Sequence, residues 1–516
     1  MGDDDGRYAG LIVFSASLFS LATGLFFSVV VTRRLSVEEY GILQFYFAAV
    51  AYLVLPGTLA NFWLTRDLGR AKDVLNTGVI MSGLLSVATS SLLIVIASWS
   101  GPTVKLTLEV LLSFLLYLLM LYLSNSLDSA SIGVAQSLQG VGIFLQETVK
   151  LLVGVILVAQ LRMGLLGVVL SIDAGLLLKC LVMYLKMPSR ARGRINVSTG
   201  LLWLRRWWVP ALVILPSLLS SIDLIILTYV TSSTILTAYL GLSRTLAAIL
   251  TYPNLLAISL YPRLLGGGGG EEIEKAMKWV MMFALPMTAG MIILALPIVG
   301  LFGPGYESAA VALQVLSFVA FFNVVKGLSL AILQGRERVD VKENASLSDL
   351  MRSNLAVPRL IELVAQVLYV VAAMIVGWLL WAQGSPPGVV VVALAAVNLV
   401  ITIPMSLVVW QLSTRTCKFN VPWKHLMKYL LATVVMAAVL QTFFHIGTTD
   451  VRVFELAFDL LVAVLTGAAV YFAVLFVIDR KLASEMYQLI VPWMIRGADA
   501  HRTSISTQQN ADPESN

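Results

Sequence analysis

Apolar runs of about 20 residues, the helix length that crosses a hydrocarbon layer roughly 30 Å thick, follow one another along nearly the whole chain. Leu11–Val31, Val74–Ser98 and Leu461–Ile478 are three of them. Such runs restrict the fold more than any motif does. In lipid the backbone must satisfy its own hydrogen bonds, which only helices and closed barrels achieve. Barrel strands would be about 10 residues long with alternating polarity, and the runs show no such alternation. The composition agrees, with 59% hydrophobic and 12% charged residues over 516 positions, against roughly 25% charged in a soluble domain. The expectation is an all-α, polytopic membrane protein with about 14 transmembrane helices.

Charge placement orients these spans. With the N-terminus inside, about 26 of the 35 Lys and Arg fall on cytoplasmic segments and about 5 outside, the positive-inside distribution. Arg66, Arg70 and Lys72 form one inner cluster, and Lys186, Arg190, Arg192, Arg194, Arg205 and Arg206 form another. The reading is a multi-pass protein of the cytoplasmic membrane with both termini cytoplasmic. Its net charge of +6 points to anionic membrane lipids of the inner leaflet and to no nucleic acid. The first run follows Asp3, Asp4 and Asp5 rather than a basic stretch, and reads as a retained span, not a signal peptide. The connections Pro188–Arg206 and Gln334–Arg359 have room for a short interfacial helix each. Gly266–Gly270 reads as a hinge, and the polar tail after Arg496 as disordered.

The chain also repeats itself at an offset of about 200 residues. Val30–Arg66 overlays Tyr229–Leu265, so that Tyr40 meets Tyr239 and Pro56 falls two residues from the counterpart of Pro253. Gly101-Pro102 corresponds to Gly303-Pro304, and Gln136 to Gln334. Copies separated by six spans share one orientation, a known transporter plan with the substrate site between the halves. The domains expected are a six-helix bundle over 1–200, a second over 201–415, two additional helices over 416–480 and a cytoplasmic tail over 481–516.

One stretch of the second copy, TILTAYLGLSRTLAAILTYPNLLAISLYPRLL over Thr234–Leu265, resembles the eighth helix of the multidrug/oligosaccharidyl-lipid/polysaccharide exporter superfamily. Phe283–Asn344 strengthens the resemblance, and VVVTRRLSVEEYGILQFYFAA near the front looks like the first-loop signature of its polysaccharide-transporter branch, the Wzx-like flippases. The ordered combination, spanning roughly residues 8–480, carries the resemblance. It implies two six-helix bundles arranged as a V with two extra helices. It also implies translocation, without catalysis, of a polyprenyl-phosphate-linked oligosaccharide for glycan biosynthesis by alternating access. Glycosyltransferases or a polymerase of the same pathway are the implied partners. Relatives that flip a lipid-linked cell-wall precursor use cavity arginines, and the matching position on the eighth helix is Arg244. Their arginines on the first and second helices have no match within the spans, because Arg33, Arg34 and Arg66 lie at helix ends.

Ionisable residues inside spans are costly and usually face a cavity or a partner. Those singled out for substrate binding are Arg244, Lys326, Lys150, Glu147, Asp223 and Asp173. A phosphate-bearing headgroup needs compensating positive charge, from Arg in bidentate form or Lys as a point charge. Each residue also has a structural reading. Asp223 and Arg244 lie about ten and eleven residues on either side of one hairpin turn, hence at similar depth. Lys150 and Asp173 stand in the same relation around Arg162, while Glu147 lies at i−3 to Lys150. Lys326 has no evident acidic partner in a sequence-adjacent helix. Pro253, Pro286, Pro297 and Pro404 fall in or near spans and can kink them.

No phosphate-binding loop, zinc motif or nucleophilic triad is present, and His425, His445 and His501 are scattered. No cofactor or metal is expected. The alternatives are an ion-coupled exporter of organic cations with the same fold, which would rely on acidic cavity residues, and a membrane glycosyltransferase or polymerase, which would need a sizeable outer loop.

Overall fold

The computed structural model describes residues 3–101, 104–135, 137–207, 210, 219, 221–257, 260, 264, 269–336, 353–354, 356–444 and 453–479. Among these, every regular element is helical. Twelve helices among the described residues are long and apolar enough to cross a membrane, or thirteen if the bent pair Val37–Leu53 and Leu55–Gly69 counts as one span. Ile222–Thr231 is a shorter apolar helix within the remaining run, whose first part lies outside the described residues. The chain is a multi-pass, all-α membrane protein, as its apolar runs require. Gln136, residues 266–268 of the hinge, 337–352 of the second inner connection and the tail after 479 also lie outside the described residues.

The first half comprises α1 (Asp3–Thr32), α2 (Val37–Leu53), α3 (Leu55–Gly69), α4 (Leu75–Trp99), α5 (Leu108–Val134), α6 (Ser137–Gly154) and α7 (Gly164–Lys186). Ser36 opens α2 with a reciprocal capping box to Glu39, which satisfies two backbone donors that would otherwise be orphaned. α8 (Val197–Arg205) is the short helix expected in the 188–206 connection. Its Trp203 is buried and donates from the indole to Asp67 Oδ2 at 3.0 Å.

The second half comprises α9 (Ile222–Thr231), α10 (Thr234–Ala248), α11 (Gly270–Ile293), α12 (Ala295–Gly300), α13 (Ala310–Arg336), α14 (Ala356–Ala382) and α15 (Pro387–Thr416). α16 (Trp423–Phe443) and α17 (Val453–Ile478) pack on each other and on α11. Tyr471 at the centre of that contact donates to Met282 O at 2.7 Å.

Positions related by the offset of about 200 residues can be compared in the structure. The span formed by α2 and α3 bends by 47° next to Pro56, which has no N–H to donate and crowds the preceding turn. The Leu53 carbonyl released there accepts from the buried Tyr122 hydroxyl at 2.6 Å. In the second half α10 tightens into a 3-10 turn over Ile249–Ala257, around Pro253. Gly101 and Gly303, paired by the same offset, both adopt positive φ, +74° and +131°, where a side chain would be strained.

Candidate functional site

The halves meet where α2 crosses α10, and both helices carry glycine at the contact. A Cβ on Gly41 would lie 2.0 Å from the Thr234 carbonyl oxygen, and one on Gly241 would lie 2.9 Å from Gln44 Cγ. Only bare backbone permits this approach. Around it Tyr306 stacks edge-on against Tyr40 and Tyr239, with ring centroids 5.7 and 6.3 Å away. The Tyr239 hydroxyl donates to Gly305 O at 2.8 Å. Arg33, just past α1, donates to Leu301 O at 2.8 Å and Gly300 O at 2.9 Å, bringing a cation to the carbonyl end of α12. These contacts all lie at the Arg33 end of the molecule.

Deeper between the halves is a cavity of about 460 Å³. From the first half it is lined by Ser20, Ser28, Gln44, Tyr117, Gln146 and Lys150 with apolar neighbours, and from the second by Thr245, Ala248, Ile249 and Tyr252. Hydroxyls, amides and phenol rings thus supply most of its polarity. Lys150 is its one ammonium among the described residues. That ammonium pairs with Glu147 at 2.5 Å, and Glu147 also accepts from Thr23 on α1 at 3.1 Å. The Lys150 ammonium sits 5.4 Å from the Phe27 ring centroid, within cation–π range.

A second, mainly apolar cavity of about 600 Å³ adjoins the first and shares Leu25 and Ile249 with it. Its walls come from α1, α10, α11, α16 and α17, through residues such as Phe283, Met287, Met436, Leu461 and Phe472. The two additional helices therefore wall a greasy groove beside a polar chamber.

Of the six residues singled out in the sequence, Lys150 lines the chamber and Glu147 holds it. Asp223 and Arg244 meet each other. The guanidinium donates from Nη1 to Asp223 Oδ1 at 2.7 Å and from Nη2 to Oδ2 and to the Tyr369 hydroxyl, and Tyr369 donates to Oδ2 at 2.6 Å. Thr245 and Ala248 on the same helix line the chamber, whereas Arg244 turns toward α9 and α14. Lys326 has an acidic partner after all, Glu362 on α14 at 3.1 Å. It lines a separate small pocket in the second half. Asp173 is buried with neither oxygen partnered; Lys150 pairs instead with Glu147 on its own helix. The chamber's ammonium, of the kind a phosphate-bearing headgroup needs, is thus neutralised locally by Glu147.

Sequence reasoning left out Asp128, which pairs with Lys179 at 2.7 Å, and Tyr369. Asp128 was visible as a carboxylate within an apolar run. A tyrosine such as Tyr369, in a run of valine and leucine, gave no sign that it would bridge a buried ion pair. Among the described residues no group of His, Cys, Asp and Glu is arranged to hold a metal ion.

No family model matches the chain, and no curated protein matches it in sequence. Solved structures do match. One is described as lipid II flippase MurJ in an inward closed conformation, 16% identical, with a TM-score of 0.61 over 92% of this chain and 100% of that one. Another is an inward-facing multidrug resistance MATE family transporter of the MOP superfamily, 15% identical, with a TM-score of 0.58 over 79% of this chain and 98% of that one. At such identities the likeness establishes the fold alone, which this chain shares with both of these structures.

Proposed function

We propose that this protein is a flippase of the Wzx-like kind, translocating a polyprenyl-phosphate-linked oligosaccharide across the cytoplasmic membrane by alternating access between its two halves. One arrangement supports the reading: a chamber that carries hydroxyl, amide and phenol groups among apolar side chains adjoins an apolar groove, the two sharing Leu25 and Ile249. A solute with a sugar head and a long hydrocarbon tail matches both parts at once, whereas a compact organic cation needs only the first. Amide and hydroxyl side chains complement sugar hydroxyls, and aromatic faces cover the apolar faces of the rings. In this scheme Lys150 meets the phosphate. Its ammonium would exchange Glu147 for the phosphate while Glu147 keeps its bond from Thr23. The flippase and multidrug transporter that share the fold support transport, and the adjoining groove favours the lipid-linked substrate. Arg244, Asp223, Lys326 and Asp173 act in this scheme on the bundle rather than on the headgroup.

The test is reconstitution in liposomes carrying a polyprenyl-diphosphate oligosaccharide, with leaflet distribution read by a membrane-impermeant lectin. Movement of the lipid-linked sugar that Lys150→Ala abolishes without unfolding is the expected result. Uptake of an organic cation with no movement of the glycan would replace this reading with cation export.

A further inference from the structure

The bent α2–α3 span leads away from Arg33, and α8 lies at the end it reaches, packed on α3 and α4. The Asn196 N–H donates to Thr77 Oγ1 at 3.0 Å, and the Asn76 amide donates to Gly193 O at 2.9 Å. A Cβ on Gly200 would meet Met81 Sδ at 3.7 Å. With the Trp203–Asp67 bond, these contacts determine which face of α8 turns inward. Gly200 and Trp203 are buried. Val197, Leu201 and Leu204, spaced four and three residues apart and so on one face, stay exposed, the first two at 69 and 61%. Trp207, just past the helix, is 57% exposed. Ile80 and Leu84 on α4 are exposed as well, so the surface that α4 turns to hydrocarbon starts at the level where α8 is seated.

The same end is strongly basic. Segments 66–73 and 186–206 carry nine Lys and Arg against two carboxylates, Asp67 and Asp73. Asp67 is already taken by Lys72 at 2.8 Å and by Trp203, and Asp128 on α5 is held by Lys179. Among the described residues no carboxylate pairs with Arg66, Arg70, Arg194, Arg205 or Arg206, all of them exposed. Aromatic rings flank two of these. Arg66 sits 4.4 Å from the Phe62 ring centroid and Arg206 6.0 Å from that of Trp63, the next residue on α3, both within cation–π range. The positive charge here is net, not locally balanced, and it borders an apolar helix face.

A helix with an exposed apolar face and arginines beside it suits the boundary between headgroups and acyl chains. An acidic partner in water would match the arginines but leave Val197, Leu201 and Trp207 uncovered. We propose that α8 lies in the headgroup layer and, with the end of α3, forms a binding surface for anionic phospholipid. Lipid phosphates engage Arg66, Arg205 and Arg206, while Val197, Leu201 and Leu204 enter the acyl region. The surface is independent of what the central chamber carries.

The probe is phosphatidylglycerol. The full-length protein without Cys180 and Cys417 carries one fluorophore at Leu201→Cys and is reconstituted in nanodiscs of phosphatidylcholine and phosphatidylglycerol in equal amounts. One lipid or the other is brominated on its acyl chains. Brominated phosphatidylglycerol should quench the label more strongly, by up to roughly fivefold for each arginine engaged, from the attraction of a basic residue to an anionic surface. The ratio should fall toward one in Arg205→Gln/Arg206→Gln and in high salt, which screens exposed charges. A label at Val87→Cys on α4, an exposed position far from the arginines in sequence, should be quenched alike by both lipids. Equal quenching of the Leu201 label by both lipids with every arginine intact would overturn the proposal. So would a Leu201 label that neither lipid quenches, because α8 would then stand clear of the membrane and its apolar face would await a protein partner.

Discussion

Replacing Gly41 by alanine tests whether the α2–α10 crossing is a gate. The added Cβ would stand 2.0 Å from the Thr234 carbonyl oxygen and 2.6 Å from its carbon, both backbone atoms that no rotamer can move away. An ordinary C···O contact is roughly 3.3 Å, so the helices must part by about 1 Å. Overpacking of this kind costs about 1–3 kcal/mol. If the penalty falls on the conformer in which the halves touch at the Arg33 end, the equilibrium moves about 5–150-fold toward the form open there. The assay uses a background without Cys180 and Cys417, both buried, and a single reporter cysteine at Ser28, which lines the chamber. Its reaction with an impermeant maleimide applied from the Arg33 side should accelerate by that factor in the Gly41→Ala protein. Gly24 offers a control, because a Cβ there meets nothing within 4 Å, and Gly24→Ala should leave the rate unchanged. An unaltered labelling rate in a folded Gly41→Ala protein would refute the gate, because the steric conflict would have been absorbed without opening the chamber.

The buried charges divide into two kinds that stability measurements separate. Removing one member of the Asp223–Arg244 pair, as in Arg244→Ala, should destabilise by about 3–5 kcal/mol by stranding the other charge. The double variant Asp223→Leu/Arg244→Met should recover most of that loss; a double variant no more stable than the single would contradict the pairing. Asp173→Asn removes no partner's bond, so denaturation should show undiminished stability, in contrast to Asp223→Asn. Tyr122→Phe should cost about 1–3 kcal/mol by orphaning the Leu53 carbonyl at the bend, and an unchanged unfolding midpoint would show that water or a neighbour replaces the hydroxyl.

Much of this molecule is governed by one-dimensional quantities. Run length, spacing and charge sign determine the all-α fold, the spans and the expected orientation, because a bilayer tests each segment separately for length and polarity. The glycine pair Gly101 and Gly303 was legible in the same way, since a positive φ at both positions is a local backbone need that leaves a local mark. The meeting of Asp223 and Arg244 follows from equal depth across a short hairpin, where neighbouring helices are forced together. Tertiary structure alone decided the rest. Depth does not specify the rotation of a helix about its axis, so Arg244 could face the chamber or α14, and Lys150 could choose Asp173 or Glu147. Nor does it specify lateral neighbours: Lys326 and Glu362 are separated by a long connection, and Asp128 and Lys179 lie on helices not adjacent in sequence. Which charges are neutralised, and that a greasy groove adjoins the polar chamber, depend on how helices turn and pack side by side, a two-dimensional arrangement that residue spacing along one chain does not encode.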